Sequence, residues 1–255
     1  MHIHPIPILK DNYVWVLMDD KEHTAIIIDP GDAKPVIAFL KQHHLSLLAI
    51  LITHHHWDHT NGIADILREY PAPVYGPAHE NIVEMTHALH DNETFQIPGF
   101  PHAITAIDIP GHTAGHIAYH VENALFCGDT LFAAGCGRLF EGTPAQMAAS
   151  LEKIMSLSDD TKIYCAHEYT LNNLRFAEVV EPDNQEITER IQRVTDLRNN
   201  HKPSLPSTLR EEKATNPFLR CDSAELKANV EKHAGVSLEN TVAVFAALRK
   251  WKDGF

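Results

Sequence analysis

Between Leu51 and Gly62 the chain reads LITHHHWDHTNG, which crowds His54, His55, His56, Asp58 and His59 into one short segment. Imidazole nitrogens and carboxylate oxygens at this density are ligands for borderline divalent cations such as Zn²⁺, Fe²⁺ or Mn²⁺. If the segment leaves a strand as a loop, His54 and His56, two apart, point to one side. Asp58 and His59 then bring a second pair of donors around the turn, enough for two neighbouring ions. A helical segment would instead set His55 and His59 one turn apart, as in a zinc-protease helix. That motif needs a glutamate where this chain has His56, so the loop is the expectation.

Three more donors follow apolar runs: His112 in DIPGHTAGH, Asp129 in LFCGDT and His167 in IYCAHEYT. In α/β folds the loops after strand ends build the site, so these donors can converge on the His54 to His59 segment. His55 and Trp57 read as packing groups or as groups behind the ligands, Trp57 as a space filler. His116 reads equally as a hydrogen-bonding group behind a ligand or as a structural histidine. Cys127 reads as a small buried hydrophobe. Cys136, in the turn AAGCGR, marks either close backbone approach to a substrate or simple turn geometry. His2, His4, His43, His44, His87 and His90 are expected to be solvated.

The elements that must hold these donors are legible as short apolar runs. YVWVLM, HTAIIID, LLAILIT, AITAIDI, ALFCGD and KIYCAH read as strands. AKPVIAFLKQHH and TPAQMAASLEKIMSL read as helices, the second capped by Thr143 with Pro144 in its first turn. From about Leu171 the pattern turns helical, in LNNLRFAEVV, NQEITERIQRVTDLRNN and SLENTVAVFAALRKW. The expected organisation is therefore an α/β domain over residues 1–171 followed by a smaller all-helical domain over 172–255.

The 255 residues include 44% hydrophobic and 22% charged, ordinary for a globular chain, and no apolar run reaches the roughly 18 residues of a membrane span. The start, MHIHPIPILKDNYVW, lacks the apolar core and small-residue cleavage site of a secretory leader. Four cysteines without a CxxC pair suggest no disulfide framework, so the cytoplasm is the expected compartment. A net charge of −13 disfavours binding to nucleic acid. A monomer is expected.

Thr53-His54-His55-His56-Trp57-Asp58-His59 matches a T-H-x-H-x-D-H signature, and His112, Asp129 and His167 follow in order at the remaining ligand positions. The chain thereby resembles the metallo-β-lactamase superfamily. Within it, GDTLFAAGCGRLFEG, CAHEYTLNN, EKATNPFLR and LRKWKDGF resemble glyoxalase II, the hydroxyacylglutathione hydrolases, over nearly the whole chain. The resemblance implies an αββα sandwich with a helical C-terminal domain. It implies two divalent ions, zinc first and iron or manganese as alternatives. His54, His56 and His112 would hold one, Asp58, His59 and His167 the other, and Asp129 would bridge both. Asp58 and Asp129 would position a bridging hydroxide, made available near neutral pH by the ions. The implied reaction is hydrolysis of S-(2-hydroxyacyl)glutathione, typically S-D-lactoylglutathione, to a 2-hydroxy acid and glutathione in methylglyoxal detoxification.

Spacing alone reads Arg249 and Lys252 as a solvated basic face near a helix end. The resemblance instead implies that Arg138, Tyr169, Arg249 and Lys252 contact the glutathione moiety, whose carboxylates suit cationic partners. Two positions depart from some relatives: Arg138 stands where they have lysine, and Phe140 where they have a tyrosine that hydrogen-bonds the peptide. Three other functions compete. A glutathione persulfide dioxygenase is opposed by NPFLR and LRKWKDGF, a nuclease by the acidic charge, and a metal buffer by any turnover that depends on Asp58.

Overall fold

The computed structural model describes residues 2–19 and 21–255. Strands β1 (His2–Ile8), β2 (Asn12–Asp19) and β3 (Thr24–Ile28) run antiparallel in succession. Asp32 caps helix α1 (Ala33–Gln42) by accepting a hydrogen bond from the Lys34 amide. Strand β4 (Ser46–Leu51), helices α2 (Trp57–Thr60) and α3 (Ile63–Glu69), and strands β5 (Val74–Pro77) and β6 (His87–Leu89) follow. The six strands form one sheet in sequence order. β1 reads poorly as a strand because it carries Pro5 and Pro7, yet it forms at the sheet edge, where missing N–H donors are tolerated.

Val14, Val16, Ile27 and Ile50 from this sheet pack with Val36 and Leu40 of α1 and Ile63 and Ile66 of α3, all fully buried. Each such side chain contributes about 1.5–3 kcal/mol relative to exposure, which fixes the strand ends that carry the loops. Strands β7 (Thr94–Phe95), β8 (Ile104–Asp108), β9 (Ile117–Val121) and β10 (Ala124–Gly128) run antiparallel in the order β10-β9-β8-β7. Residues up to Asp108, with Ala114–Gly128, make one compact unit.

The second unit comprises Ile109–Thr113 and Asp129–Phe255. It contains strands β11 (Leu131–Phe132) and β12 (Gly135–Cys136), which pair antiparallel, and helix α4 (Pro144–Met155), closed at its start by a reciprocal Thr143–Gln146 capping box. Strand β13 (Lys162–Cys165), helices α5 (Thr170–Val180) and α6 (Gln185–Asn199), strand β14 (Ser207–Thr208) and helices α7 (Leu209–Thr215), α8 (Ala224–Ala234) and α9 (Thr241–Asp253) complete the chain. β14 pairs antiparallel with β13, so a two-residue strand interrupts the helical run within HKPSLPSTL. Ala134, Leu174, Ala177, Ile187 and Val194 form a core around α5 and α6.

Candidate dimetal site

Parallel pairing sets Ile28 of β3 beside Leu51 of β4, so Asp29 and Thr53 leave the sheet as neighbours. Asp29 is 4% exposed and accepts from the Thr53 amide and hydroxyl, each at 2.8 Å. The same carboxylate lies 3.0 Å from His59 Nδ1. Thr53 gives its hydroxyl hydrogen to Asp29, so it accepts from His54 Nδ1 at 3.0 Å. The Asp29 carboxylate thus fixes the His54 imidazole at Nδ1 through Thr53 and leaves its Nε2 as the lone-pair donor, and it faces Nδ1 of His59 as a neighbouring charge. Asp58 accepts from Asn12 Nδ2 at 2.9 Å, and its carbonyl lies where a Cβ on Gly31 would stand. Gly128 has φ +48°, and a Cβ there would meet Thr53 Oγ1 at 2.4 Å and His116 Nε2 at 2.7 Å. Only glycine meets both demands. His116 is fully buried with its ring stacked 4.6 Å from that of His54, which places it behind a predicted ligand.

His112 follows β8, Asp129 follows β10 and His167 follows β13, each just beyond its strand end. His112 Nδ1 donates to the Arg138 carbonyl at 2.9 Å, again leaving Nε2 outward. The Thr130 hydroxyl donates to the Ile109 carbonyl at 3.0 Å and ties the segments before His112 and after Asp129 together. His167 stacks on Tyr169 at 4.7 Å.

The donor set fits divalent metal. His54, His56, Asp58 and His59 supply imidazole and carboxylate donors from the first unit, and His112, Asp129 and His167 supply them from the second. Two ligands on a tetrahedral ion with bonds of about 2.0–2.1 Å stand roughly 3.3 Å apart. Asp129 Oδ2 lies 3.3 Å from His167 Nε2 and 3.5 Å from His112 Nε2, and Asp58 Oδ2 lies 3.6 Å from His59 Nε2. These are ligand-edge separations rather than good hydrogen bonds.

Of the residues expected at glutathione, Arg249 and Lys252 lie on α9, Arg138 Nε lies 3.5 Å from Asp253 at the end of that helix, and Tyr169 stands at the start of α5. Arg249 is 5% exposed, lies 5.0 Å from the Phe218 ring centre, and donates from Nη1 to the Cys136 carbonyl at 2.8 Å. Lys252 Nζ lies 5.0 Å from the Phe176 ring centre and 5.2 Å from that of Phe255. Burial, with Arg249 nearby, lowers the Lys252 pKa to about 8. Arg138 is exposed, and Phe140 is 64% exposed with its ring 5.2 Å from that of His112. Cys136 is buried in β12, and burial pushes its thiol up to about 11, so the residue serves by its carbonyl and not as a thiolate. Cys127 is fully buried, and all four cysteines are thiols.

Two expectations need correction. Trp57 does not fill space: it is 61% exposed, because α2 is a single turn whose inner side is taken by His59. His4 is half-buried and stacks on Phe39 at 4.7 Å, so it is not simply solvated. Asp29, Asn12 and Glu80 were not anticipated. Glu80, with 2% of its side chain exposed, accepts from the His55 amide and lies 2.8 Å from His55 Nδ1, which pins the histidine segment from outside. The available signal was DPG directly after β3, an acid at a strand end like Asp129.

Residues 10–167 match the metallo-beta-lactamase superfamily, and residues 168–255 match the hydroxyacylglutathione hydrolase C-terminus. A hydroxyacylglutathione hydrolase of Nitrosomonas eutropha is 51% identical over 253 residues, covering 99% of this chain and 98% of the relative. One of Aeromonas salmonicida is 50% identical over 251 residues, covering 98% of each. Among solved structures, ETHE1 from Myxococcus xanthus matches with a TM-score of 0.68 at 21% identity, over 97% of this chain and 96% of its own. TTHA1623 in a di-iron-bound form matches at 0.60 and 23% identity, over 85% and 100%. These structures share the fold of this chain. Similarity of this depth along the whole length, including the helical C-terminus, narrows the assignment: the chain belongs to the hydroxyacylglutathione hydrolase family of the metallo-β-lactamase superfamily.

Proposed function

We propose that this chain hydrolyses S-(2-hydroxyacyl)glutathione thioesters, typically S-D-lactoylglutathione, to a 2-hydroxy acid (D-lactate) and glutathione, the second step of methylglyoxal detoxification. The observation that carries this reading is the match of residues 168–255 to the hydroxyacylglutathione hydrolase C-terminus, since the metal donors alone suit many hydrolases. The same match disfavours the glutathione persulfide dioxygenase alternative. Residues 1–171 would carry the metal chemistry and 172–255 would contribute to glutathione binding.

His54, His56 and His112 would hold one divalent ion, and Asp58, His59 and His167 the other, with Asp129 common to both. Zinc is the first candidate, and iron or manganese suits the same donors. When bound, such ions supply a water acidified to a pKa of about 7 and a Lewis acid for the thioester carbonyl. Asp58 and Asp129 are the proposed catalytic residues, because their carboxylates fix where the nucleophile stands. Asp29, through Thr53, keeps the His54 imidazole in the required tautomer. Arg138, Tyr169, Arg249 and Lys252 would hold glutathione, and Phe140 would offer it a ring without a hydroxyl. The thiolate leaves without a general acid, since an ordinary thiol pKa is about 8.5.

Among the described residues no helix is long and apolar enough to cross a membrane. We place the enzyme in the cytoplasm as a monomer without nucleic-acid partners. Loss of thioester absorbance from S-D-lactoylglutathione, with metal-replete and chelated protein, tests the activity. Metal-dependent loss is expected; robust oxygen uptake with glutathione persulfide and no thioester loss would overturn the reading.

Lys252 adds a pH dependence. Its charged form attracts a glutathione carboxylate, and that form is present below a pKa of about 8. KM is therefore expected to be flat below pH 8 and to rise above it, and Lys252→Arg should remove the rise because guanidinium stays charged. Steady-state kinetics between pH 7 and about 9.5 decide this, and an unaltered rise in the arginine variant would exclude Lys252 as its source.

A further inference from the structure

Three N–H groups converge on one oxygen of Asp253, the last residue of α9. Arg249 Nε and Nη2 lie 3.2 and 3.0 Å from Oδ1, and Arg138 Nε lies 3.5 Å from it. The two arginines come from distant parts of the chain, one from α9 and one from the segment after β12. Their side chains differ in freedom. Arg249 is buried, with its guanidinium carbon 5.0 Å from the Phe218 ring centre and Nη1 bonded to the Cys136 carbonyl. The Arg138 side chain is 62% exposed, although its main chain is anchored, since its carbonyl accepts from His112 Nδ1.

A carboxylate among cations that receive a carboxylate ligand has two opposed effects. It competes for their charge, and it aims their donors. Competition is weak here, because Asp253 is 43% exposed and water screens its charge. Aiming matters more, because an exposed arginine has rotamer freedom to lose when it is fixed on a ligand, and a guanidinium fork binds well only in its own plane. We propose that Asp253 is a positioning residue for substrate: it aligns Arg138 and Arg249 so that their donors are set before glutathione arrives. The inference rests on the glutathione thioesterase reading. It adds a link between the two ends of the substrate, because Arg138 meets Asp253 through its side chain and His112 through its carbonyl.

The test uses the metal-replete full chain with S-D-lactoylglutathione, and glutathione as product inhibitor. For Asp253→Asn, KM and the glutathione inhibition constant are each expected to rise by about 5- to 20-fold, with kcat within about twofold of wild type. Asp253→Glu, which keeps the charge with longer reach, should recover most of the loss. In an Arg138→Ala background the Asp253→Asn effect should shrink, since one of its two partners is gone. An unchanged or lowered KM in Asp253→Asn overturns the proposal, as does a fall in kcat or in thermal stability with KM unmoved. A wild-type chain without thioesterase activity overturns the functional reading and this inference together; an active wild type with an indifferent Asp253→Asn variant overturns only the inference.

Discussion

Asp129→Ala is expected to lower S-D-lactoylglutathione turnover by at least on the order of 1,000-fold and to weaken metal binding at both donor sets, with the fold retained. The reason is the position of one oxygen. Asp129 Oδ2 lies 3.5 Å from His112 Nε2 and 3.3 Å from His167 Nε2, a histidine from each proposed half-site. Residues that merely orient ligands are worth about 10- to 100-fold in metal affinity or activity, so a ligand common to two ions should exceed that range. Asp58→Ala makes the informative comparison. Asp58 Oδ2 lies 3.6 Å from His59 Nε2 and is proposed as a ligand of one ion alone, so its loss should weaken that ion and spare the other. Metal per chain after dialysis against a chelator, measured beside kcat, separates the two. If Asp129→Ala keeps two tightly held ions, the shared-ligand assignment fails.

Donors were legible in the sequence where chemistry and punctuation coincide. Each of His112, Asp129 and His167 follows an apolar run that folds as a strand, so residue type and strand end could be read together. The groups that aim the donors were not legible. Asn12 reaches Asp58 across 46 positions and Glu80 reaches His55 across 25, and neither residue type announces a partner. Asp29 was hidden differently, because DPGD reads as an ordinary turn and only the parallel β3–β4 register shows that it faces Thr53. Trp57 was misread because aromatic bulk is usually buried, whereas a single helical turn has one inner side and His59 occupies it. Helix α4 carries its own cap and was legible. The two-residue strands β11, β12 and β14 have no periodicity to find and exist through tertiary pairing.

Glu212→Ala is expected to destabilise the protein by about 3–5 kcal/mol. Glu212 and Arg190 are 0% and 1% exposed, and Arg190 Nη2 donates to Glu212 Oε1 at 2.6 Å. Burial alone lowers the Arg190 pKa, and the Glu212 and Glu211 carboxylates more than offset it, so the guanidinium stays charged. Glu212 Oε2 accepts from the Ala134 amide at 2.7 Å and from Asn216 Nδ2 at 3.2 Å. Asn216 Nδ2 also donates to the carbonyls of Phe132 and Gly135, at 3.1 and 2.9 Å. This network braces the β11–β12 turn, where Ala134 holds φ +56°, a conformation that costs a non-glycine residue roughly 1–2 kcal/mol. Alanine at 212 leaves the buried Arg190 guanidinium with the Glu211 carboxylate, 3.3 Å away, and releases the turn that leads to Cys136 and Arg138. A combined Arg190→Met, Glu212→Leu chain should lose less than Glu212→Ala, because no charge is left unpaired. At roughly 2–4 °C per kcal/mol for a chain of this size, the single variant should unfold on the order of 10 °C lower. Thermal and urea unfolding of both variants measure the difference; a Glu212→Ala midpoint equal to wild type would show that the turn is held by its own strand pairing, and KM would then be unaffected as well.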